Sequence, residues 1–272
     1  MTGAEAGGHK LASPGHPLIR LERALGSGSL ADAAAGRTVD IVIPVYNEEP
    51  ILTRQLKPVL ALLPAGFRLT VVENGSTDAT PEILHAMLKE HSKALRVISL
   101  KDANYGRAML RGILASDAQV VVTDDLDVMD TDFWERGLRR LRPEEVDLVQ
   151  GSKVLAGRSD RRPILRKAAT LVLTFFLRTL LGYRGTDTHG PKVLKRSELY
   201  PVAERCRMEL DILPTELVVR AQRAGLTIVE IPIHLRELRP TPLPLYRRVP
   251  RAMRDLVRLA LMLSREPDTE GN

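Results

Sequence analysis

The sequence predicts an α/β protein with a mostly parallel sheet flanked by helices, and three observations carry that prediction. Short apolar runs at Val39–Pro44, Arg68–Val72, Arg96–Leu100 and Ala118–Thr123 alternate with helical patterns, the alternation that builds parallel βαβ units. Polar clusters follow three of these runs, at Tyr46–Glu49, Glu73–Asp78 and Asp124–Asp127, where open α/β sheets bind ligands. The chain has 272 residues, 44% hydrophobic and 27% charged, an ordinary globular composition for one large domain or two small ones.

Residues 1–37 are rich in Gly, Ala and Ser and read as a flexible lead-in. The first strand stops at Pro44 and opens into Val45–Pro50, with a helical pattern through Leu63. The second strand ends in Glu73–Asp78; Pro81 then occupies a first helical position, with Ile83, Leu84, Met87 and Leu88 at helical spacing. A third strand precedes a helix over Arg107–Ala115, and the strand centred on Val120–Val122 comes next. The second half is less regular: a strand at Asp147–Lys153, an apolar helix at Ala168–Leu181 interrupted by Arg178, a Gly/Pro loop at Asp187–Lys192, a helix at Glu209–Ala224 and a strand at Leu226–Ile233. Val249–Ser264 is a basic amphipathic helix with Arg251, Arg254 and Arg258 on one side.

Asp124, Asp125 and Asp127 crowd the end of a buried apolar strand. Carboxylates this close repel one another and raise each other's pKa. A hard divalent cation relieves the repulsion, and Mg²⁺ is commonly held by one or two carboxylates plus substrate phosphates. Asp125-x-Asp127 would place one carboxylate on the cation and the other toward the ligand; the alternative is an acid-rich loop with no ligand. The net charge of +6 suggests an anionic partner, and an aromatic content of 4% leaves few stacking platforms for nucleic acid. Phosphates on small ligands, or an anionic membrane face, account for the charge. With one cysteine, no disulfide framework is expected and a reducing, cytoplasmic setting fits. No apolar run reaches the ~18–20 residues of a spanning helix, and the first residues lack the apolar core of a secretory signal.

IVIPVYNEE, VVENGSTDAT, NYGRAMLRGI and a strand ending in DLD, in this order, resemble the family 2 glycosyltransferases, most closely the polyprenyl-phosphate (dolichyl-phosphate) sugar synthases. The likeness covers roughly Val39–His234. It implies a GT-A fold with a Rossmann-like nucleotide half at about 38–130, an acceptor half at about 131–235, and the basic helix and tail at 236–272. It also implies a divalent cation, Mg²⁺ or Mn²⁺, and inverting transfer of a sugar from a GDP- or UDP-sugar. By the resemblance, Pro44, Tyr46 and Glu48 lie against base and ribose. Glu73 and Asn74 stand where the family usually has Asp, and Asp125 and Asp127 match the metal motif with Asp124 beside them. Arg107 matches a basic residue of the third motif or is a solvated charge, and Asp78 caps the following helix more readily than it meets ligand. Met129 and Asp130 stand where the family carries a polar Gln or His.

Gly151–Lys153 and Arg158 look like the family segment whose basic residue faces phosphates, with Lys153 replacing a bidentate Arg by a point charge. Asp187–Lys192 sits where the family has a loop beside the acceptor, with His189 open between packing and chemistry. Glu216 and Glu230 match positions read as structural. Arg236 or Arg239 could serve the family's basic closing motif, whose Gly and Ser are missing.

In such a transfer the charge develops on the leaving diphosphate, so a cation on Asp125 and Asp127 stabilises the transition state. A polyprenyl phosphate needs no strong base; Lys153, Arg158, Arg236 and Arg239 would position it. A hydroxyl acceptor needs a base, and Asp187, Glu209 and Asp211 are the candidates. The apolar helix at Ala168–Leu181 is core or a surface for a lipid tail; with the basic helix it favours a lipid acceptor and peripheral contact with the cytoplasmic membrane face. The rivals are transfer to a soluble acceptor, a non-catalytic sugar-nucleotide-binding protein, and a nucleotidyltransferase, whose Gly-rich phosphate loop is replaced here by PVYNEE.

Overall fold

The computed structural model describes residues 29–141, 145–155, 164–233 and 245–266. Seven strands form one sheet: β1 (Val39–Val45), β2 (Phe67–Asn74), β3 (Leu95–Leu100), β4 (Val120–Thr123), β5 (Leu148–Ser152), β6 (Lys192–Lys195) and β7 (Ile228–Pro232). Their spatial order is β3-β2-β1-β4-β6-β5-β7. All neighbours are parallel except β6, which runs antiparallel to β4 and to β5. Every residue of β1 is buried, as expected of a central strand covered on both faces.

The side-chain alternation of the strands feeds two cores. On one face Ile41, Ile43, Val71 and Val122 pack beneath α1 (Ser29–Ala34), α2 (Leu52–Leu62), α3 (Thr80–Glu90) and α5 (Thr131–Arg140). On the other, Val42, Val72, Val121 and Leu194 pack against α4 (Tyr105–Ala115), α6 (Ile164–Leu181), α7 (Arg196–Glu204), α8 (Leu213–Arg223) and α9 (Leu245–Ser264). In α9, Leu256, Leu259 and Leu263 are buried while Arg251, Arg254 and Arg258 are exposed, a helical division of apolar and basic faces.

Three expectations need correction. Residues 29–34, assigned to the flexible lead-in, form α1: Leu30 and Ala33 are fully buried, and Arg37 donates to the carbonyls of Ala33, Ala34 and, at 2.9 Å, Leu138 in α5. Lys192, placed in a loop, opens the antiparallel strand β6. Two lysines in its four residues, Lys-Val-Leu-Lys, disguise a strand whose first three positions are buried. The helix expected from Glu209 begins as a 3₁₀ turn at Leu210–Ile212 before α8. The sequence reading assigned no element to α5 or α7.

Candidate active site

The loops after β1 and β2 are stitched together by short polar side chains. Asn47, at φ 53°, donates its N–H to Ser76 Oγ at 3.0 Å and accepts from Thr77 N at 2.8 Å. Glu48 N donates to Thr80 Oγ1, and Glu49 N to Asp78 Oδ2. Asp78 also accepts from Thr80 N at 3.0 Å, at the head of α3; these hydrogen bonds overcome partial desolvation and hold its carboxyl below the usual range. Pro44 lies in the buried β1, whereas Tyr46 is 44% exposed at its end. Glu73 and Asn74 are buried and turned toward neighbouring loops. Glu73 Oε1 accepts from Ser76 N at 2.6 Å, and Asn74 Oδ1 accepts from Asn104 N at 2.7 Å.

The acid loop after β4 is organised by its most buried member. Asp124 accepts from Asp125 N (2.8 Å), Asp130 N (3.0 Å) and the Trp134 indole (2.6 Å). Burial, then the neighbouring charge of Asp125, drives its pKa well above the usual carboxylate range, against the pull of those donors. Met129 takes up φ 36°, and Asp130 caps α5 by accepting from Phe133 N at 3.0 Å. Asp125 and Asp127 are only half-buried. Tyr105 Oη, from the head of α4, donates to Asp125 Oδ1 at 2.7 Å; burial and the Asp125 charge keep that phenol protonated.

Among the described residues, no group of three or more His, Cys, Asp or Glu side chains is arranged to hold a metal ion. Asp125 and Asp127 would therefore offer two carboxylates. That donor set suits Mg²⁺ or Mn²⁺ completed by water and phosphate oxygens, and does not make a closed protein cage.

Across the crevice, the loop between α6 and β6 is fixed from within. Asp187 accepts from Lys153 N at 3.1 Å and from His189 N at 2.9 Å. Burial would raise its pKa, but the Lys153 charge and these N–H groups outweigh it, so the carboxylate lies below its usual range. Glu230 gathers the N–H and hydroxyl of Thr186, the N–H of Asp187 and the Tyr183 hydroxyl. Lys192 is fully buried and donates to the carbonyls of Thr188 (3.1 Å) and Gly190 (2.8 Å). Burial pushes its pKa down to about 8, although Asp187, Asp125 and Asp124 favour the charge. Gly190 has no room for a side chain, since a Cβ there would collide with the Gly151 carbonyl.

The structure thus brings Asp124, Asp125 and Asp127, the β1 and β2 loops, and the Asp187 loop with Lys153 to the carboxyl edge of β1, β2, β4 and β5. Arg107 stands apart on the surface, paired with Glu209 at 2.7 Å. Asp211 is exposed, and its carbonyl faces His189 Nε2 at 2.9 Å. Glu216 is fully buried and accepts from Arg207 N, Met208 N and Arg220 Nε. Arg158, Arg236 and Arg239 lie outside the described residues. Sequence reasoning passed over Tyr105, Trp134 and the burial of Lys192. Tyr105 lies inside a quoted motif, and the lone tryptophan close after the acid cluster was a signal for the second.

Comparison with known proteins matches residues 40–199 to the model of glycosyl transferase family 2. An uncharacterized glycosyltransferase of Mycobacterium tuberculosis is 32% identical over 207 residues, spanning 73% of this chain and 85% of its own. Glycosyltransferase AglD of Haloferax volcanii is 29% identical over 75% of this chain, which spans only 34% of that longer protein. The dolichyl-phosphate hexose transferase of the same organism is 29% identical over 72% of this chain and 82% of its own. Among solved structures, M. tuberculosis glucosyl-3-phosphoglycerate synthase in complex with UDP aligns at TM-score 0.57 and 23% identity, over 95% of this chain and 88% of that one. The same enzyme bound to Mn²⁺, UDP-glucose and glycerol 3-phosphate aligns at TM-score 0.55 and 22% identity, over 95% and 88%. The seven-stranded, helix-flanked sheet is a GT-A fold, and the chain belongs to glycosyl transferase family 2.

Proposed function

We propose that this protein is a metal-dependent, inverting glycosyltransferase that moves a sugar from a GDP- or UDP-sugar to polyprenyl phosphate at the cytoplasmic membrane face. The observation that carries the reading is the half-buried Asp125/Asp127 pair at the end of β4, facing a rigid loop anchored by Asp187, Glu230 and Lys192. A divalent cation on Asp125 and Asp127 would supply the charge that a departing diphosphate requires. The stitched loops after β1 and β2, with Pro44, Tyr46, Glu48, Glu73 and Asn74, would form the nucleotide side of the crevice. Arg107 would lend positive charge at its mouth.

A phosphate acceptor is anionic before it attacks, so orientation matters more than proton removal. Lys153 would direct it, with Arg158, Arg236 and Arg239 as further candidate contacts. Asp187 is already engaged by two N–H groups, which fits a residue that shapes the loop rather than one that takes a proton.

The lipid acceptor is supported by the surface that α6 and α9 expose together. Val172, Phe175 and Leu180 on α6, and Val257 and Leu261 on α9, are exposed, with Arg254 and Arg258 on the same helix α9. Thr174, next to Phe175, donates to the carbonyl of Thr186 in the acceptor-side loop at 3.3 Å, which links this surface to the site. Apolar and basic faces of this kind suit an anionic membrane interface. Among the described residues no helix is long and apolar enough to cross a membrane. Two relatives point the same way by name: the dolichyl-phosphate hexose transferase of H. volcanii and an undecaprenyl-phosphate 4-deoxy-4-formamido-L-arabinose transferase of Salmonella, 26% identical.

The test is product formation from GDP- and UDP-sugars with Mn²⁺ or Mg²⁺, offering polyprenyl phosphate and then soluble acceptors. Sugar transferred into the lipid fraction alone bears the reading out. Transfer only to a soluble hydroxyl would replace it with the second reading, favoured by the exposed Asp211 as base, and Asp211→Asn would then abolish transfer. Nucleotide binding without any transfer would indicate a sugar-nucleotide-binding protein.

A further inference from the structure

Tyr105 has no part in the chemistry outlined above, yet it touches its centre. Its hydroxyl donates to Asp125 Oδ1 at 2.7 Å, while its ring packs against the core beneath α4. The residues on either side hold that ring in place. Asn104 Oδ1 caps α4 by accepting from Arg107 N at 3.0 Å and also accepts from Leu210 N at 2.9 Å. Gly106 lies so close to the following segment that a Cβ there would meet Leu210 O at 2.5 Å and the Leu213 Cβ at 2.8 Å. The head of α4 is therefore wedged between the end of β2, through Asn74, and the 3₁₀ turn at Leu210–Ile212. The phenol oxygen reaches from this anchored block to the acid loop.

We propose that Tyr105 is a positioning residue for the cation site: it holds Asp125 by Oδ1 and leaves Oδ2 as the oxygen presented to the metal. The inference rests on the reading of Asp125 and Asp127 as cation ligands. A carboxylate on a loop can rotate about its side-chain bonds. A donor fixed on a rigid helix removes that freedom, and such outer partners of metal ligands commonly contribute 10–100-fold, as an order of magnitude, in metal affinity. Held in this way, Asp125 would offer its Oδ2 to a cation from a fixed direction.

The experiment is a Mn²⁺ titration of the full chain with UDP or GDP present at fixed concentration and read against a nucleotide-only blank, followed by the electron paramagnetic resonance of free Mn²⁺, for the parent, Tyr105→Phe, Asp125→Asn, the double variant and Asp127→Ala. Thermal unfolding of each variant checks the fold, and Tyr105→Leu, which also lacks the hydroxyl, serves as a second probe. Tyr105→Phe should weaken Mn²⁺ binding by roughly 10–100-fold, and the double variant should bind no more weakly than Asp125→Asn alone, because both changes remove one interaction. Binding by Tyr105→Phe within about twofold of the parent, or additive losses in the double variant, would overturn the inference even if Asp127→Ala abolishes binding and the cation reading stands. A parent that binds no Mn²⁺ would overturn both together.

Discussion

Two groups of loops at the carboxyl edge of the sheet are held by different means. The loops after β1 and β2 are fastened mainly by short polar side chains and backbone N–H groups: Asn47 with Ser76 and Thr77, Thr80 with Glu48, and Asp78 with Thr80 and Glu49, with the buried Glu73 accepting from Ser76 N. The region around the α6–β6 loop relies more on buried charge: Lys192 under the Thr188 and Gly190 carbonyls and Glu216 with Arg220 behind the 3₁₀ turn, with the half-buried Glu230 of β7 gathering Thr186. Exposed polar bridges contribute little each and are individually replaceable. A buried ion is costly once its partner is removed. The comparison teaches that equal tautness in the two groups should respond very unequally to mutation.

The largest expected effect is at Glu216. Glu216→Ala strands the buried N–H groups of Arg207 and Met208 and weakens the hold on Arg220, so denaturant unfolding should show a loss of about 3–5 kcal/mol. Lys192 comes next, and here pH is the lever. Its folded pKa of about 8 lies below the ordinary lysine value, so between about pH 8 and 10.4 the unfolded chain binds a proton that the folded chain does not. Stability attributable to Lys192 therefore rises with pH across that window, and below pH 8 the full burial penalty applies. Relative to Lys192→Met, the parent should gain on the order of 3 kcal/mol from pH 8 to 10.4; a flat difference would show that the buried ammonium does not titrate as described. In the loop after β2, Asp78→Ala should cost only about 1 kcal/mol, and a loss as large as that at Glu216 would erase the contrast. Smallest is Phe175→Asp on α6. Because the side chain is 61% exposed, unfolding stability should stay within about 0.5 kcal/mol, while cosedimentation with anionic vesicles should fall.

The same contrast governed what the sequence disclosed. Strands β1, β2 and β4 were legible because Val39–Pro44, Arg68–Val72 and Val120–Val122 are dominated by apolar, mostly β-branched residues, a pattern that burial on both faces explains. Their polar ends were legible because ligand sites follow strand ends. Strand β6 was hidden because Lys192 has the residue type of a surface position, and nothing local says that a sheet will cover it. Helix α1 was hidden by its Ala- and Gly-rich surroundings, in which a single Leu30 gives no periodicity. The acid pair was visible, but its supports were not: Trp134 reaches Asp124 from ten positions away, and Tyr105 reaches Asp125 from twenty. Contacts of that kind are set by tertiary placement, which sequence spacing does not encode.

The most direct test of the central claim is release of nucleoside diphosphate from GDP- or UDP-sugars, in the presence of acceptor, with Mn²⁺ or Mg²⁺ supplied and then removed by EDTA, in the parent and in Asp127→Ala. The account predicts release that needs the cation and falls by about 10³-fold in the variant, equivalent to the several kcal/mol a catalytic metal supplies. Release that survives EDTA, or an Asp127→Ala variant as active as the parent, would contradict it.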